Sequence, residues 1–156
     1  MQVHQNTTLT ATNLMTYRGW HTPQQLRAIA EKLEAYIATH GGTQTGKLIV
    51  ALYATCQTTG ATDAQVYLPV DKVLPDGQGF AFVPQLTVHN CLLVHFEGTP
   101  GQVPEVFAAL LQEAASMGRN VIPPAYVVVM EGHLVADCDR LEADVYVEVG
   151  ERMEAQ

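Results

Sequence analysis

Apolar residues in the first half of the chain recur at two different periods. Leu26, Ile29, Ala30, Leu33 and Ile37 return at three- and four-residue intervals and form one face of a helix. Gln24, Arg27, Glu31 and Glu34 lie mostly on the opposite face. Thr22 is placed to cap this helix, and Pro23 occupies its first position, where a missing N–H does no harm. Gly41-Gly42 predicts its end through a left-handed cap. Around the helix the period shortens to strand-like runs. Residues 8–20 are β-rich, Lys47 to Tyr53 is apolar on both faces, and a polar connection from Thr55 to Asp63 leads into a strand carrying Tyr67. The first half thus reads β-α-β-β.

The second half repeats that order. A strand is expected from about Thr87 to Glu97, then a helix capped by Thr99 with Pro100 first, and Pro104 still within its first turn. Val103, Val106, Phe107, Leu110, Leu111 and Ala114 are its expected buried face, and Gly118 its end. Tyr126 to Met130 reads as a strand, His133 to Asp139 as a loop, Asp144 to Val149 as the closing strand, and Gly150 to Gln156 as a frayed tail.

The repetition extends to residue identities. Ala64-Gln-Val-Tyr-Leu-Pro-Val70 is echoed by Ala143-Asp-Val-Tyr-Val-Glu-Val149, which places Tyr146 79 positions after Tyr67. Leu9 to Asn13 matches Leu86 to Asn90, Thr22 to Leu26 matches Thr99 to Val103, and Gly41 matches Gly118, each at an offset of 77. One order in nearly one register indicates a tandem duplication. The expected division is a first repeat at 7–70, a linker at 71–79 marked by the turn residues Pro75-Asp76-Gly77, and a second repeat at 80–150, packed as one compact domain. The fold class is α+β: two β-α-β-β units about a pseudo-twofold, with largely antiparallel sheets, two helices and a groove between the repeats. Such a groove is a preferred place for a small molecule.

Alternation says which side chains face it. Val66, Leu68 and Val70 share one face of the first closing strand, and Val145, Val147 and Val149 share one face of the second; these faces are expected against the helices. Tyr67 and Tyr146 then point away from the helical layer. Two readings of them stay open, an aromatic wall with polar hydroxyl ends or tyrosines that cover half-exposed sheet. If Met15, Tyr17, Leu92 and Val94 face the core, then Arg18, Trp20, His95 and Glu97 lie on the tyrosine side. His95 and Glu97 have the chemistry of a base and an acid, or of two solvated polar residues.

Composition narrows the function classes. The 156 residues are 47% hydrophobic and only 15% charged, which excludes a disordered chain. The net charge of −8, without a basic cluster, argues against nucleic acid as a partner. Cys56, Cys91 and Cys138 are widely spaced and are read as small buried hydrophobes with reduced thiols. The six histidines lack metal-ligand spacing, and no phosphate-loop, dinucleotide, zinc-protease or serine-hydrolase motif is present, so no metal or cofactor is expected. With no signal segment and no long apolar run, the expected location is the cytoplasm, away from membranes.

The duplicated order, the helix entries from Gly19 to Pro23 and at Gly98-Thr99-Pro100, and the closing strands Val66-Tyr67-Leu68-Pro69-Val70 and Val145-Tyr146-Val147 together resemble the GyrI-like family over roughly residues 7–150. That family includes the effector-binding domains of bacterial multidrug-sensing regulators. The resemblance implies an aromatic groove for planar, often cationic amphiphiles; some relatives instead hydrolyse strained cyclopropane rings. It also implies an acidic residue in the strand before the last hairpin. Matching places that residue at Val127, which is apolar, with Glu131 on the same strand face and Glu97 elsewhere as acids that could replace it. Glu148 stands where the family commonly has proline. With no helix-turn-helix segment, the chain is not expected to be a regulator itself.

The expected function is therefore to bind or sequester a small apolar or aromatic molecule, cations included. The groove would be walled by Trp20, Tyr67, Tyr126 and Tyr146, with His95 and Glu97 as polar contacts and no catalytic residue assigned. One alternative is an interaction module for a protein partner with a vestigial groove. A second is a small hydrolase using His95 with Glu97 or Glu131. Monomer and homodimer stay open.

Overall fold

A computed structural model describes residues 2–132 and 139–152, with the backbone alone at Arg152. The chain runs β1 (Val3–His21), α1 (Pro23–Thr39), β2 (Ile49–Thr55), β3 (Thr62–Pro69), β4 (Ala81–Gly98), a 3-10 turn (Pro100–Gln102), α2 (Val103–Ser116), β5 (Arg119–Glu131) and β6 (Leu141–Arg152). The six strands, all antiparallel to their neighbours, close in the order β1-β3-β2-β5-β6-β4. The fold is α+β, as expected, but the strands form one closed barrel rather than separate open sheets. Closure leaves no sheet edge to be covered.

Helix α1 begins as the sequence predicts, and both helices end at the predicted glycines. Thr22 and Gln25 form a capping box: the Gln25 N–H donates to Thr22 Oγ1 at 3.3 Å, and the Thr22 N–H to Gln25 Oε1 at 2.9 Å. Gly41 and Gly118 take left-handed φ values of 76° and 68° just past the two helices. The second entry differs in detail. Pro100 opens a 3-10 turn and α2 starts only at Val103, which puts Pro104 in its first turn, where it costs no hydrogen bond.

Each helix lies on its own set of strands. Leu26, Leu33, Tyr36 and Ile37 of α1 pack with Met15, Val66, Leu68 and Val70, and Val103, Val106, Leu110 and Ala114 of α2 pack with Leu92, Val94, Val145, Val147 and Val149. The valine faces therefore meet the helices, as alternation requires. Leu111 departs from expectation: it is 56% exposed, because one residue past Leu110 the helix has turned about 100° off the buried stripe.

A third cluster holds Leu9, Leu14, Ile49, Ala51, Tyr67, Val88, Cys91 and Tyr126, with Tyr53, Val128 and Tyr146 against it, and so draws on all six strands. It occupies the strand face opposite the helices. A six-stranded barrel is too narrow to hold a helix, so this face is the interior.

Strands β1 and β4 are longer than expected, and the register between them shifts between His4 and Thr7 and between Thr7 and Leu9. Asn13 and Asn90 have φ values of 54° and 63°. Before Asn13 the interior residues are Leu9 and Ala11; after it Leu14 and Thr16 share that face, so the alternation has shifted by one. Asn90 does the same between Val88 and Cys91. Residues 133–138 of the expected loop, with Cys138, lie outside the described residues; Gly150 to Arg152 of the expected tail belong to β6. Among the described residues no helix is long and apolar enough to cross a membrane.

Candidate functional site

The barrel interior gathers four tyrosines, one each from β2, β3, β5 and β6. Tyr67 and Tyr126 are buried, at 7% and 8% exposure, and Tyr53 and Tyr146 are half-buried. The register explains the convergence. Ala51 stands opposite Tyr126 and Ile49 opposite Tyr67, so small and branched residues alternate with the rings around the wall, and Tyr126 faces Tyr146 directly. Burial, together with the neighbouring Tyr53 in both cases, pushes the Tyr67 and Tyr126 phenols up to about 12. Burial also raises Tyr146. At neutral pH all three are un-ionised phenols, which present polarisable faces and hydroxyl groups without charge.

Among the described residues, two half-buried carboxylates of β6, Asp144 and Glu148, share the strand face of Tyr146, and Asp144 helps to raise that phenol. Glu148 stands opposite Cys91 and Ile122, and shares its strand face with Tyr146. It is half-buried, and its charge helps to raise both Tyr126 and the Cys91 thiol, which burial chiefly pushes up to about 11. Alternation in the sequence already puts Glu148, with Asp144, on the face of Tyr146; what it did not supply was a role for Glu148.

Val127 is elsewhere. It is fully buried in the cluster beneath α2, opposite Val50. The position matched to the acidic residue thus faces a helix in this chain, whereas its neighbours Tyr126 and Val128 face the interior. Glu131 lies at the end of β5 and is exposed, so it is no interior counter-charge either.

The two ends of the barrel carry different charges. At one end Arg18 forms a bidentate pair with Asp63, Nε to Oδ1 at 3.2 Å and Nη2 to Oδ2 at 3.0 Å, and its guanidinium carbon sits 3.8 Å above the Tyr53 ring centroid. Trp20, across from Asp63, is 55% exposed and outside the tyrosine cluster. At the other end His95 Nδ1 lies 2.7 Å from Asp144 Oδ1, and its Nε2 lies 3.7 Å from Glu97. The Asp144 hydrogen bond is the main reason the His95 pKa is raised. His95 and Glu97 are half-exposed, at 51% and 54%. Glu142 completes a group whose ligand atoms, with those of His95 and Glu97, lie within 4.8 Å of one another; the sequence spacing had not shown it. A guanidinium already sits there, with Arg140 Nη2 3.9 Å from Glu97 and 3.7 Å from Glu142.

A separate cleft of about 390 Å³ opens on the outer wall beside α1, floored by Leu26, Ala30, Val50, Val66 and Val129. Val50 and Val66 line it, while their strand neighbours Ala51 and Tyr67 line the interior, so the two spaces are on opposite sides of one wall. Among the described residues the cleft has no aromatic lining and holds none of the residues whose ionisation is displaced.

No family model and no curated protein matches this sequence. Solved structures do. The C-terminal domain of EcmrR superposes with a TM-score of 0.73 at 12% identity, covering 97% of this chain and 98% of that one. In the EcmrR–DNA complex the TM-score is 0.75, again at 12% identity and over 97% of this chain, which spans 58% of the longer EcmrR chain. A hydrolase from Listeria innocua gives 0.63 at 9% identity, over 96% of this chain and 91% of that one. SAV2435 bound to tetraphenylphosphonium gives 0.50 at 13% identity, over 96% and 93%. With six antiparallel strands, two helices and this breadth of superposition, the chain has the GyrI-like fold seen in the EcmrR C-terminal domain.

Proposed function

We propose that this protein binds a bulky aromatic cation inside the barrel, with Tyr53, Tyr67, Tyr126 and Tyr146 as the wall and Glu148 as the counter-charge. The observation that carries the reading is the gathering of four tyrosines from four strands in one cluster, with the half-buried Glu148 close enough to Tyr126 to raise its phenol. Aromatic faces attract cations, and the attraction strengthens as water is excluded. Of the residues expected from sequence, Tyr67, Tyr126 and Tyr146 keep their assigned role. Trp20 becomes a reporter at the rim, and His95 and Glu97 move to an outer charge cluster. Their exposure gives no support to a hydrolase built on that pair. The binding of tetraphenylphosphonium by SAV2435, a protein of similar fold, supplies the natural probe. A small-molecule carrier or sensor of this kind fits the cytoplasm.

One observation favours a second reading. Tyr67 and Tyr126 are already buried by their neighbours, as they would be in a partner-binding module whose barrel fills itself. Titration with tetraphenylphosphonium, followed by Trp20 fluorescence and thermal shift, separates the two. The ligand reading expects saturable binding, a raised melting temperature, and at least about tenfold weaker binding in Glu148→Gln, since a charge partner in a desolvated site is worth roughly 1.5–3 kcal/mol. No binding by the wild-type protein would sink it in favour of the partner-binding module.

A further inference from the structure

Arg18 already sits where an incoming cation would first meet the tyrosines. Its guanidinium carbon is 3.8 Å from the centroid of the Tyr53 ring, a cation–π contact made by the protein with itself. Tyr53 in turn is close enough to Tyr67 and Tyr126 to raise both phenols, and the charge of Arg18 reaches Tyr67 and lowers it. Tyr53 therefore lies between the half-exposed arginine and the buried rings.

Both halves of this arrangement are held in place. Asp63 grips the guanidinium through two hydrogen bonds, at 3.2 Å and 3.0 Å, which fixes its plane as well as its position. Arg18 holds the Asp63 carboxyl below its usual range, chiefly through that side-chain hydrogen bond. The Tyr53 hydroxyl donates to Gln65 Oε1 at 3.4 Å, the Gln65 amide donates to Thr16 Oγ1 at 2.9 Å, and Thr16 donates to the Val66 carbonyl at 2.8 Å. Thr16 is buried at 6% exposure, so this chain of bonds anchors the ring from within the wall.

We infer that Arg18 is a tethered competitor, a specificity-determining residue that occupies the outer cation position of the tyrosine cluster and yields it only to a cation able to replace its contacts with Tyr53 and Asp63. The inference rests on the cation-binding reading above. On release, Arg18 swings into solvent, for which its half-exposed side chain is already placed. Asp63 then becomes a second counter-charge for the ligand at the rim, while Glu148 serves the interior. The device sets a threshold, because a weak or poorly fitting cation does not displace a guanidinium held at three points. It also discriminates by sign. An anion of the same shape gains from Arg18 and loses when Arg18 is removed.

The test uses tetraphenylphosphonium and its isosteric anion tetraphenylborate, titrated into the wild-type protein, Arg18→Met, and the double variant Arg18→Met/Asp63→Asn. Removing the competitor should tighten tetraphenylphosphonium binding by about two- to thirtyfold, the range of a cation–π contact from exposed to desolvated, while tetraphenylborate binding stays equal or weakens. The double variant should lose part of that gain. It also leaves no unpaired carboxylate, so it reports even where Arg18→Met folds poorly. In the wild-type protein the Arg18 Nε–H nuclear magnetic resonance should lose its protection from exchange as tetraphenylphosphonium saturates. If the wild-type protein binds the cation, but Arg18→Met binds it no better and the Nε–H signal does not change, the competitor role is overturned and the binding reading stands. If no variant binds the cation, the binding reading falls and takes this inference with it.

Discussion

Thr10 and Thr87 stand directly opposite each other across β1 and β4, with their hydroxyl oxygens 3.3 Å apart, and they are separated by 77 positions, the offset of the internal repeat. An antiparallel pair made of two equivalent residues places a twofold axis between them. Across the barrel Val50 pairs with Val127, again 77 positions apart. The axis thus passes through two seams of one barrel, and at each seam a strand of one repeat meets its own counterpart. This is why the duplicated sequence closes into a barrel: neither half has a partner for its outer strands except the other half. The rim charges follow the same symmetry. Arg18 and His95 are 77 apart, and each is bound by an acid from the closing strand of its repeat, Asp63 and Asp144. The chemistry has diverged while the geometry has not.

The left-handed asparagines of β1 and β4 should be sensitive to backbone preference rather than to side-chain contacts. Asn13 and Asn90 hold left-handed φ values that asparagine and glycine tolerate and β-branched residues do not. Asn13→Val should destabilise the protein by about 1–2 kcal/mol, the cost of a left-handed residue, and Asn13→Gly by much less. Equilibrium urea unfolding checks this. Equal losses for the valine and glycine variants would mean that the position needs the asparagine side chain and not the backbone freedom.

Val127 and Val128 make a paired experiment on which face of β5 matters. Val127 is fully buried beneath α2, and Val128 is half-buried in the tyrosine interior. Val127→Glu should cost roughly 3–5 kcal/mol, because it leaves a buried charge uncompensated. Val128→Glu should cost less and place a further acid beside the tyrosines, which strengthens tetraphenylphosphonium binding. If Val127→Glu folds normally and gains cation affinity while Val128→Glu does not, the assignment of faces is wrong.

The same pair of residues marks what could be read from the sequence. The helices, their caps and the valine faces were legible because they depend on local period and on single residues such as Thr22 and Gly41. Tyr67 and Tyr146 could be placed away from the helices for the same reason. Closure of the barrel was not legible, since it depends on pairings between residues distant in sequence, such as Thr16 with Ala81 and Val3 with Val94. Nor was the role of Tyr53 and Arg18, which meet across β1 and β2 through the intervening β3. At Val127, the position matched to the family's acid, a one-residue choice on a strand decides between the helix side, where this valine lies, and the interior. Alternation counted from Tyr126 puts the interior at Val128, and counted from Tyr146 it puts Glu148 on the tyrosine face.

The tyrosine interior also predicts how the protein meets alkali. Tyr67 and Tyr126 hold their protons up to about pH 12 in the folded state, whereas an unfolded tyrosine releases its proton near 10. Below about pH 10 both states are protonated and the two phenols make no difference to stability with pH. Between about 10 and 12 the unfolded state has lost protons that the folded state keeps. The unfolded state therefore binds fewer protons and stability falls as pH rises, by at most about 1.4 kcal/mol per pH unit for each tyrosine. Urea midpoints measured across this window should decline, and the decline should be shallower in Tyr126→Phe, which has no proton to lose. Phenolate absorbance gives an independent check: in the folded protein a late-titrating class should include Tyr67 and Tyr126, and unfolding should abolish it. If all the tyrosines titrate together near 10 in the folded protein, the interior is open to water, and the low-dielectric setting that the proposed cation site depends on is absent.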